Sequence, residues 1–152
     1  MISAVSHVNV WVHDQDEAKA FYTDKLGFEV RQDATLEEMG NYRWLTVGPT
    51  DQPDVNIILS IPSPPAIDAE SAEQLKVLLA KGAMGPGILQ TEDCRKTIAE
   101  FERKGVEVTE QPNERFYGID AEIRDPSGNL WRVVQPIEFD LEAMQKAQAN
   151  GG

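Results

Sequence analysis

Residues Tyr117–Gln135 read YGIDAEIRDPSGNLWRVVQ, two strand-like runs separated by Asp125-Pro126-Ser127-Gly128-Asn129. Proline presets the first turn angle, glycine accepts a positive φ, and the Asp and Asn side chains can bond the nearby backbone. The stretch predicts a β-hairpin. The rest of the chain has to supply the sheet in which these two strands sit.

At 152 residues the chain is long enough for one domain or two closely packed half-domains. It carries 14 Lys and Arg against 26 Asp and Glu, a formal charge of −12, which repels phosphate-rich partners and argues against nucleic acid. Cys94 is the only cysteine, so an intrachain disulfide is excluded and a reducing compartment is expected. Met1–Val12 lacks a basic leader and holds His7 and Asn9 within a short apolar run, so it reads as a strand and not as a signal peptide. No stretch approaches the roughly 20 consecutive apolar residues of a membrane span. A soluble cytoplasmic protein is the expectation.

Going outward from the hairpin, Val8, Val10 and Val12 alternate with His7, Asn9 and Trp11, a strand with one aliphatic and one chemically varied face. Asp14 with Glu17 reads as a capping box opening a helix whose stripe is Ala18, Phe21 and Tyr22, and Gly27 stops it. Strands follow from Phe28 and Val30, over Tyr42–Val47, and over Val55–Ile61. Pro62, Pro64 and Pro65 then break the pattern. Leu75, Leu78 and Leu79 at helical spacing predict a linker helix sealing one edge of the domain. From Ile88 the first half repeats: a short strand to Thr91, a helix capped by Asp93 with Ile98 and Phe101, a stop at Gly105, and a strand at Val106 and Val108. Lys25–Val30 (KLGFEV) is echoed by Arg103–Val108 (RKGVEV), so the chain contains two copies of one unit. Glu138–Ala149 predicts a terminal helix, with Asn150-Gly151-Gly152 expected to fray.

On the paired units, the two stop glycines, the Tyr117-Gly118 start and the DPSGN turn, the chain from about Val5 to Pro136 resembles the vicinal oxygen chelate superfamily, which includes glyoxalase, bleomycin-resistance and extradiol dioxygenase proteins. Arg43–Pro49 (RWLTVGP) together with Glu92–Arg95 (EDCR) is similar to an uncharacterised glyoxalase-like subgroup. The resemblance implies an α+β fold in which two βαβββ modules form a cupped mixed sheet with helices on the convex side. Module one would span about 4–61, the linker helix 66–82, module two 87–136 and the last helix 138–149. Small ligands would sit in the concavity.

The resemblance also implies where a metal would be held, by His or Glu on the first and fourth strands of each module. Carried over one position at a time, these fall on His7, Ile58, Gly87 and Arg132, of which only His7 can donate a lone pair to a cation. Shifting each by one residue restores no donor. No metal and no other cofactor is therefore expected. Arg132, with five donors and a permanent charge, is a candidate to hold a carboxylate, phosphate or enolate oxygen where relatives use the ion. The competing reading pairs it with a neighbouring-strand acid such as Glu122. His7 is either a ligand contact or a structural hydrogen-bonding group. Asn9, Trp11, Asn56, Ile58 and Ser60 share the inferred concave face, and Trp11 could stack on a planar ligand. Cys94, at a helix start where thiolate is favoured, is a weaker candidate nucleophile, His13 is expected to be solvated, and Tyr117 packs or closes the pocket mouth.

Two function classes follow. One is metal-free capture of a small organic ligand, anionic ligands included. The other is catalysis by a lyase, isomerase or dioxygenase of the superfamily, with His7 as base and Arg132 at the oxyanion or with a divergent metal site. A collapsed cup acting through its surface is a third possibility. Relatives often dimerise, sometimes exchanging modules, so a homodimer is the expected assembly.

Overall fold

The structure, a computed structural model, describes residues 1–151. Its strands are β1 (His7–Trp11), β2 (Glu29–Leu36), β3 (Tyr42–Gly48), β4 (Asn56–Ser60), β5 (Gly87–Gln90), β6 (Glu107–Arg115), β7 (Gly118–Arg124) and β8 (Leu130–Pro136). The α-helices are α1 (Gln15–Ala20), α2 (Ala69–Ala80), α3 (Cys94–Arg103) and α4 (Leu141–Gly151). The strands make two four-stranded sheets ordered β1-β4-β3-β2 and β5-β8-β7-β6. Each begins with a parallel pair and continues antiparallel. The repeat and the α+β class read from the sequence are what is found.

Local chemistry explains the elements. Asp14 and Asp93 cap α1 and α3, their carboxylates accepting from the backbone N–H of Glu17 at 2.8 Å and of Lys96 at 3.0 Å. After Ala20 the first helix widens into a π-helical turn, Phe21–Lys25, which presents Phe21 and Tyr22 to the core. The stop glycines, Gly27 and Gly105, both have positive φ. In β6 the register shifts between Glu110 and Asn113, around Pro112, which has no N–H to give the ladder.

One face of each sheet packs on its helix. In module one Val10, Val12, Leu45, Val47, Ile57 and Leu59 meet Ala18, Phe21 and Tyr22, and in module two Ala121, Ile123, Trp131 and Val133 meet Cys94 and Ile98. Each fully buried aliphatic side chain here is worth roughly 2 kcal/mol. All belong to one cluster, so the modules share a core.

The DPSGN turn joins them. Asp125 N–H bonds the Asn129 carbonyl at 2.9 Å, closing the hairpin, while Oδ1 of Asp125 accepts from the N–H groups of Ser127, Gly128 and Asn129 at 2.8–3.0 Å. Its Oδ2 accepts from the Tyr22 hydroxyl at 2.6 Å and from Asn129 Nδ2 at 2.8 Å. Asn129 Nδ2 also reaches the Trp11 carbonyl, and His13 N–H bonds Ser127 Oγ at 2.9 Å. Gly128, at φ +111°, has its missing Cβ position 1.9 Å from the Leu79 carbonyl oxygen, so the end of α2 lies directly on the turn. That is how α2 seals an edge: Leu79 is buried, whereas Leu78 of the predicted stripe stays partly exposed.

The terminal helix differs from expectation. It starts at Leu141, because Asp140 caps it through Ala143 N–H at 3.1 Å, and it continues through Asn150 and Gly151 where fraying was expected. Gly152 lies outside the described residues.

Asp125→Ala removes the acceptor of five hydrogen bonds, three from backbone N–H groups and two from side chains, at a buried site. A loss of about 3 kcal/mol is expected in urea denaturation, with Asp125→Asn intermediate because it retains one carbonyl oxygen. A loss below about 0.5 kcal/mol for the alanine variant, the scale of an ordinary surface substitution, would remove the turn from its place in the fold.

Candidate functional site

The faces turned away from the core are partly exposed, with Thr46, Ser60 and Asp120 on them buried, and the pleat decides what they carry. In module one the register pairs His7 with Asn56, Asn9 with Ile58 and Trp11 with Ser60, so these six predicted residues do share a face. Thr46 lies in register with Ile58, and Gln32 with Thr46, extending that row across all four strands. Trp44, two residues before Thr46 on the same strand, belongs to this face as well. Its ring lies 5.6 Å from that of His7, centroid to centroid, although the two residues are on strands separated by β4. The two side chains therefore lean towards each other across the face.

The polar groups here are neutral and mutually bonded. Ser60 Oγ donates to Asn9 Oδ1 at 2.5 Å, Trp44 Nε1 donates to Gln32 Oε1 at 2.8 Å, and Asn56 Nδ2 donates to the Ser6 carbonyl at 3.1 Å. His7 Nδ1 lies 2.9 Å from the Ser6 hydroxyl, leaving Nε2 to the open side. Trp44 and Gln32 were absent from the sequence-derived set, although counting by twos back from Thr46 would have placed Trp44 on this face.

Module two presents a different surface. Ile88, Arg132, Glu122 and Glu110 stand in register across β5, β8, β7 and β6. Arg132 Nε donates to Asp120 Oδ1 at 3.1 Å, Nη1 to Glu110 Oε2 at 2.7 Å and to Glu122 Oε2 at 3.1 Å, and Nη2 to Asp120 Oδ2. Arg115 Nη2 bonds the other oxygen of Glu110 at 2.8 Å, and the Tyr117 hydroxyl donates to Asp120. Three carboxylates thus surround Arg132, and with Arg115 the group carries a net charge of −1. Arg132, followed by Arg115, holds the Glu110 carboxyl below its usual range. The Asp120 hydrogen bond pushes the Tyr117 phenol up.

The pairing of Arg132 with Glu122 weighed from the sequence is present, enlarged to three acids. Gly87 is displaced from the role carried over to it: its missing Cβ points at the Trp131 ring, 3.3 Å away, so the residue on the open face is Ile88, 69% exposed. Cys94 is also corrected. It is buried, its Sγ lies 3.5 Å from the Val133 carbonyl, and burial raises its thiol pKa, opposite to what a reactive helix-start thiolate needs. His13 is exposed and Tyr117 is half-buried.

The family's metal does not fit this donor set. The four positions hold one imidazole, two aliphatic side chains and a guanidinium, and among the described residues no group of three or more His, Cys, Asp or Glu is placed to hold an ion. Hollows of about 600, 220 and 340 Å³ lie at Ile137–Asp140, around Gln15, Tyr42 and Pro64, and around Arg95, Ile98 and Gln111, and none is lined by a predicted site residue. No helix among the described residues is long and apolar enough to cross a membrane.

Arg132→Ala leaves buried Asp120 with only the Tyr117 hydroxyl and sets Glu122 opposite Glu110 with only Arg115 on Glu110 as counter-charge. About 3 kcal/mol of stability should be lost at pH 7. Because the folded-state pKa of Glu110 is depressed, the stabilisation by Arg132 is present above the ordinary carboxylate pKa, near 4.3, and disappears as pH falls through the lowered value. The gap between wild type and variant, measured by denaturation across pH 7 to 3, should therefore narrow on acidification; a gap that widens would contradict the assignment.

Known proteins share this fold. The family model for the Glyoxalase/Bleomycin resistance protein/Dioxygenase superfamily matches residues 4–133. The chain is 33% identical to the uncharacterized protein YurT of Bacillus subtilis (strain 168), covering 84% of this chain and 94% of the relative. Among solved structures it is similar to UcmS2, with 44% identity, a TM-score of 0.83 and coverage of 89% of this chain and 99% of that one. It is also similar to TnmS3, an antibiotic binding protein from Streptomyces sp. CB03234, with 29% identity, a TM-score of 0.70 and coverage of 90% and 98%. The chain belongs to the glyoxalase/bleomycin resistance protein/dioxygenase superfamily.

Proposed function

We propose that this protein captures a small organic molecule over its open sheet faces without a metal ion. The carrying observation is the module-one face. Trp11, Trp44 and His7 offer ring surface on the face that holds Ile58, while Asn9, Asn56 and Gln32 offer neutral hydrogen-bonding groups, the composition of a ligand pocket. The antibiotic-binding activity of TnmS3, over nearly the same length of chain, supports capture as the class of function.

The same reading includes a homodimer in which module one of one copy faces module two of the other. In a single chain His7 and Asn9 are exposed and Ile88 is 69% exposed, so each face is half of a cup. A cytoplasmic setting belongs to the proposal too, consistent with the lone reduced thiol of Cys94.

Catalysis as a lyase or isomerase has less support. Arg132 would have to stabilise an oxyanion while three carboxylates already neutralise it.

Capture is tested with protein dialysed against a chelator and titrated with acridone, a flat neutral tricycle, by tryptophan fluorescence. Saturable quenching is expected, unchanged by chelation and weakened about three- to ten-fold in Trp44→Ala, the range for losing one aromatic contact. One tightly held divalent ion per chain, whose removal abolishes binding, would overturn the metal-free reading. Sedimentation analysis should give twice the chain mass of 16.9 kDa; a monomer at micromolar concentration would overturn the shared cup.

A further inference from the structure

The chemistry of the two faces indicates which ligands they would hold, and this step rests on the capture reading above. Module one contributes aromatic faces. Trp44 and His7 lie 5.6 Å apart at an interplanar angle of 48°, and Trp11 stands in register with Ser60 on the same surface. The faces of such rings carry the negative lobe of a quadrupole and attract cations, indole most strongly. Module two contributes, independently, the Arg132 row. Glu110, Asp120 and Glu122 outnumber Arg132 and Arg115, and the Glu110 and Glu122 side chains retain 36% and 22% exposure towards solvent. Four of the five guanidinium N–H directions of Arg132 are accounted for by its bonds to the three acids.

An anionic ligand would meet Arg132 only after passing carboxylates already bonded to it. Losing even one of those bonds leaves a partly buried acid uncompensated, Asp120 above all, whose side chain is 3% exposed. A cation breaks none of those bonds. It would share the remaining lone pairs of Glu110 Oε1 and Glu122 Oε1, which already accept from Arg115 Nη2 and Thr109 Oγ1 at 2.8 Å each, while its ring system covers the tryptophans, and Ile88, the apolar neighbour of Arg132 in the row, would cover its edge.

We propose that the site selects flat aromatic cations, molecules with a fused ring system and a protonated nitrogen, and rejects anions of the same shape. The overall charge of −12 acts in the same direction by concentrating cations near the surface. This reverses the anion-holding role that Arg132 suggests when read without its neighbours.

The experiment titrates the intact protein with three tricyclic probes of matched size: 9-aminoacridine (cationic), acridone (neutral) and 9-anthracenecarboxylate (anionic). Tryptophan quenching and calorimetry give the affinities. The cation should bind about ten-fold or more tightly than the neutral probe, and the anion more weakly still. The cation's advantage should shrink as salt rises from about 0.05 to 0.5 M, where the screening length falls from above 10 Å to below 5 Å. Glu122→Gln, which preserves shape and a carbonyl oxygen, should reduce the preference for the cation several-fold, and Glu110→Gln provides a second variant should the first fold poorly. Equal affinities for all three probes, or tightest binding of the anion, would overturn the charge selection while leaving capture intact. Binding of none of the three would sink capture itself and this inference with it.

Discussion

A single buried carboxylate fixes how the two halves of this protein meet. Asp125 is 2% exposed and accepts five hydrogen bonds, three from the backbone of its own turn, one from the Asn129 amide and one from Tyr22 in the other module. An isolated charge at that depth would be strongly unfavourable, and a full set of donors offsets this only if all arrive in register. Tyr22 in turn accepts from Trp131 Nε1 at 2.7 Å, so indole, phenol and carboxylate form a chain across the module boundary. Burial, then the neighbouring Asp125 charge, pushes the Tyr22 phenol well above its ordinary pKa, which keeps it a donor. With Asn129 on the Trp11 carbonyl and Ser127 on His13 N–H, the turn of module two grips the end of β1. The relative placement of the two open faces follows from these contacts.

Much of this was legible because local and tertiary signals coincide. The DPSGN turn contains proline, glycine and side-chain acceptors where a hairpin needs them, and the repeated glycine stops and aspartate caps mark matching helices in both halves. The alternation of β1 separated Val10 and Val12, which are buried, from His7, Asn9 and Trp11, but Val8 of the expected aliphatic face is 43% exposed at the start of the strand. What the sequence hid depends on partners distant in the chain. Nothing within Asp125-Pro126-Ser127-Gly128-Asn129 announces that its aspartate will also hold a tyrosine more than a hundred residues earlier. The β5 register was misjudged for a related reason. A four-residue strand gives too few alternations to reveal its inner face, and only contact with Trp131 shows that Gly87 looks inward and Ile88 outward.

The two open faces have diverged although the modules beneath them repeat. The Asn9-Ile58-Thr46-Gln32 row is neutral, and the Ile88-Arg132-Glu122-Glu110 row is charged. A repeat constrains the core because both copies must pack a helix on a sheet, but it leaves outward positions free to change. This is why the core was readable as a repeated pattern and the site was not. A site assembled from one neutral aromatic face and one ionic face can recognise a ligand with two chemically distinct sides, which two identical faces could not do.

Arg132 shows how a residue's role depends on its row. Glu122 and Glu110 are opposite each other on adjacent antiparallel strands, a juxtaposition of like charges that destabilises a sheet. Arg132 stands beside Glu122 on the next strand and bonds both acids, converting the repulsion into a network. The guanidinium is therefore first a structural counter-charge for its own sheet. Its planar fork spans acids from two strands at once, which a lysine's single ammonium could not match in geometry. Because the acids exceed it in number, the network keeps the sheet together and still leaves negative potential facing outward. On the proposed reading, stability of the module-two face and its preference among ligands rest on the same four side chains, Glu110, Asp120, Glu122 and Arg132. A change that makes the face neutral by removing an acid alters both properties together.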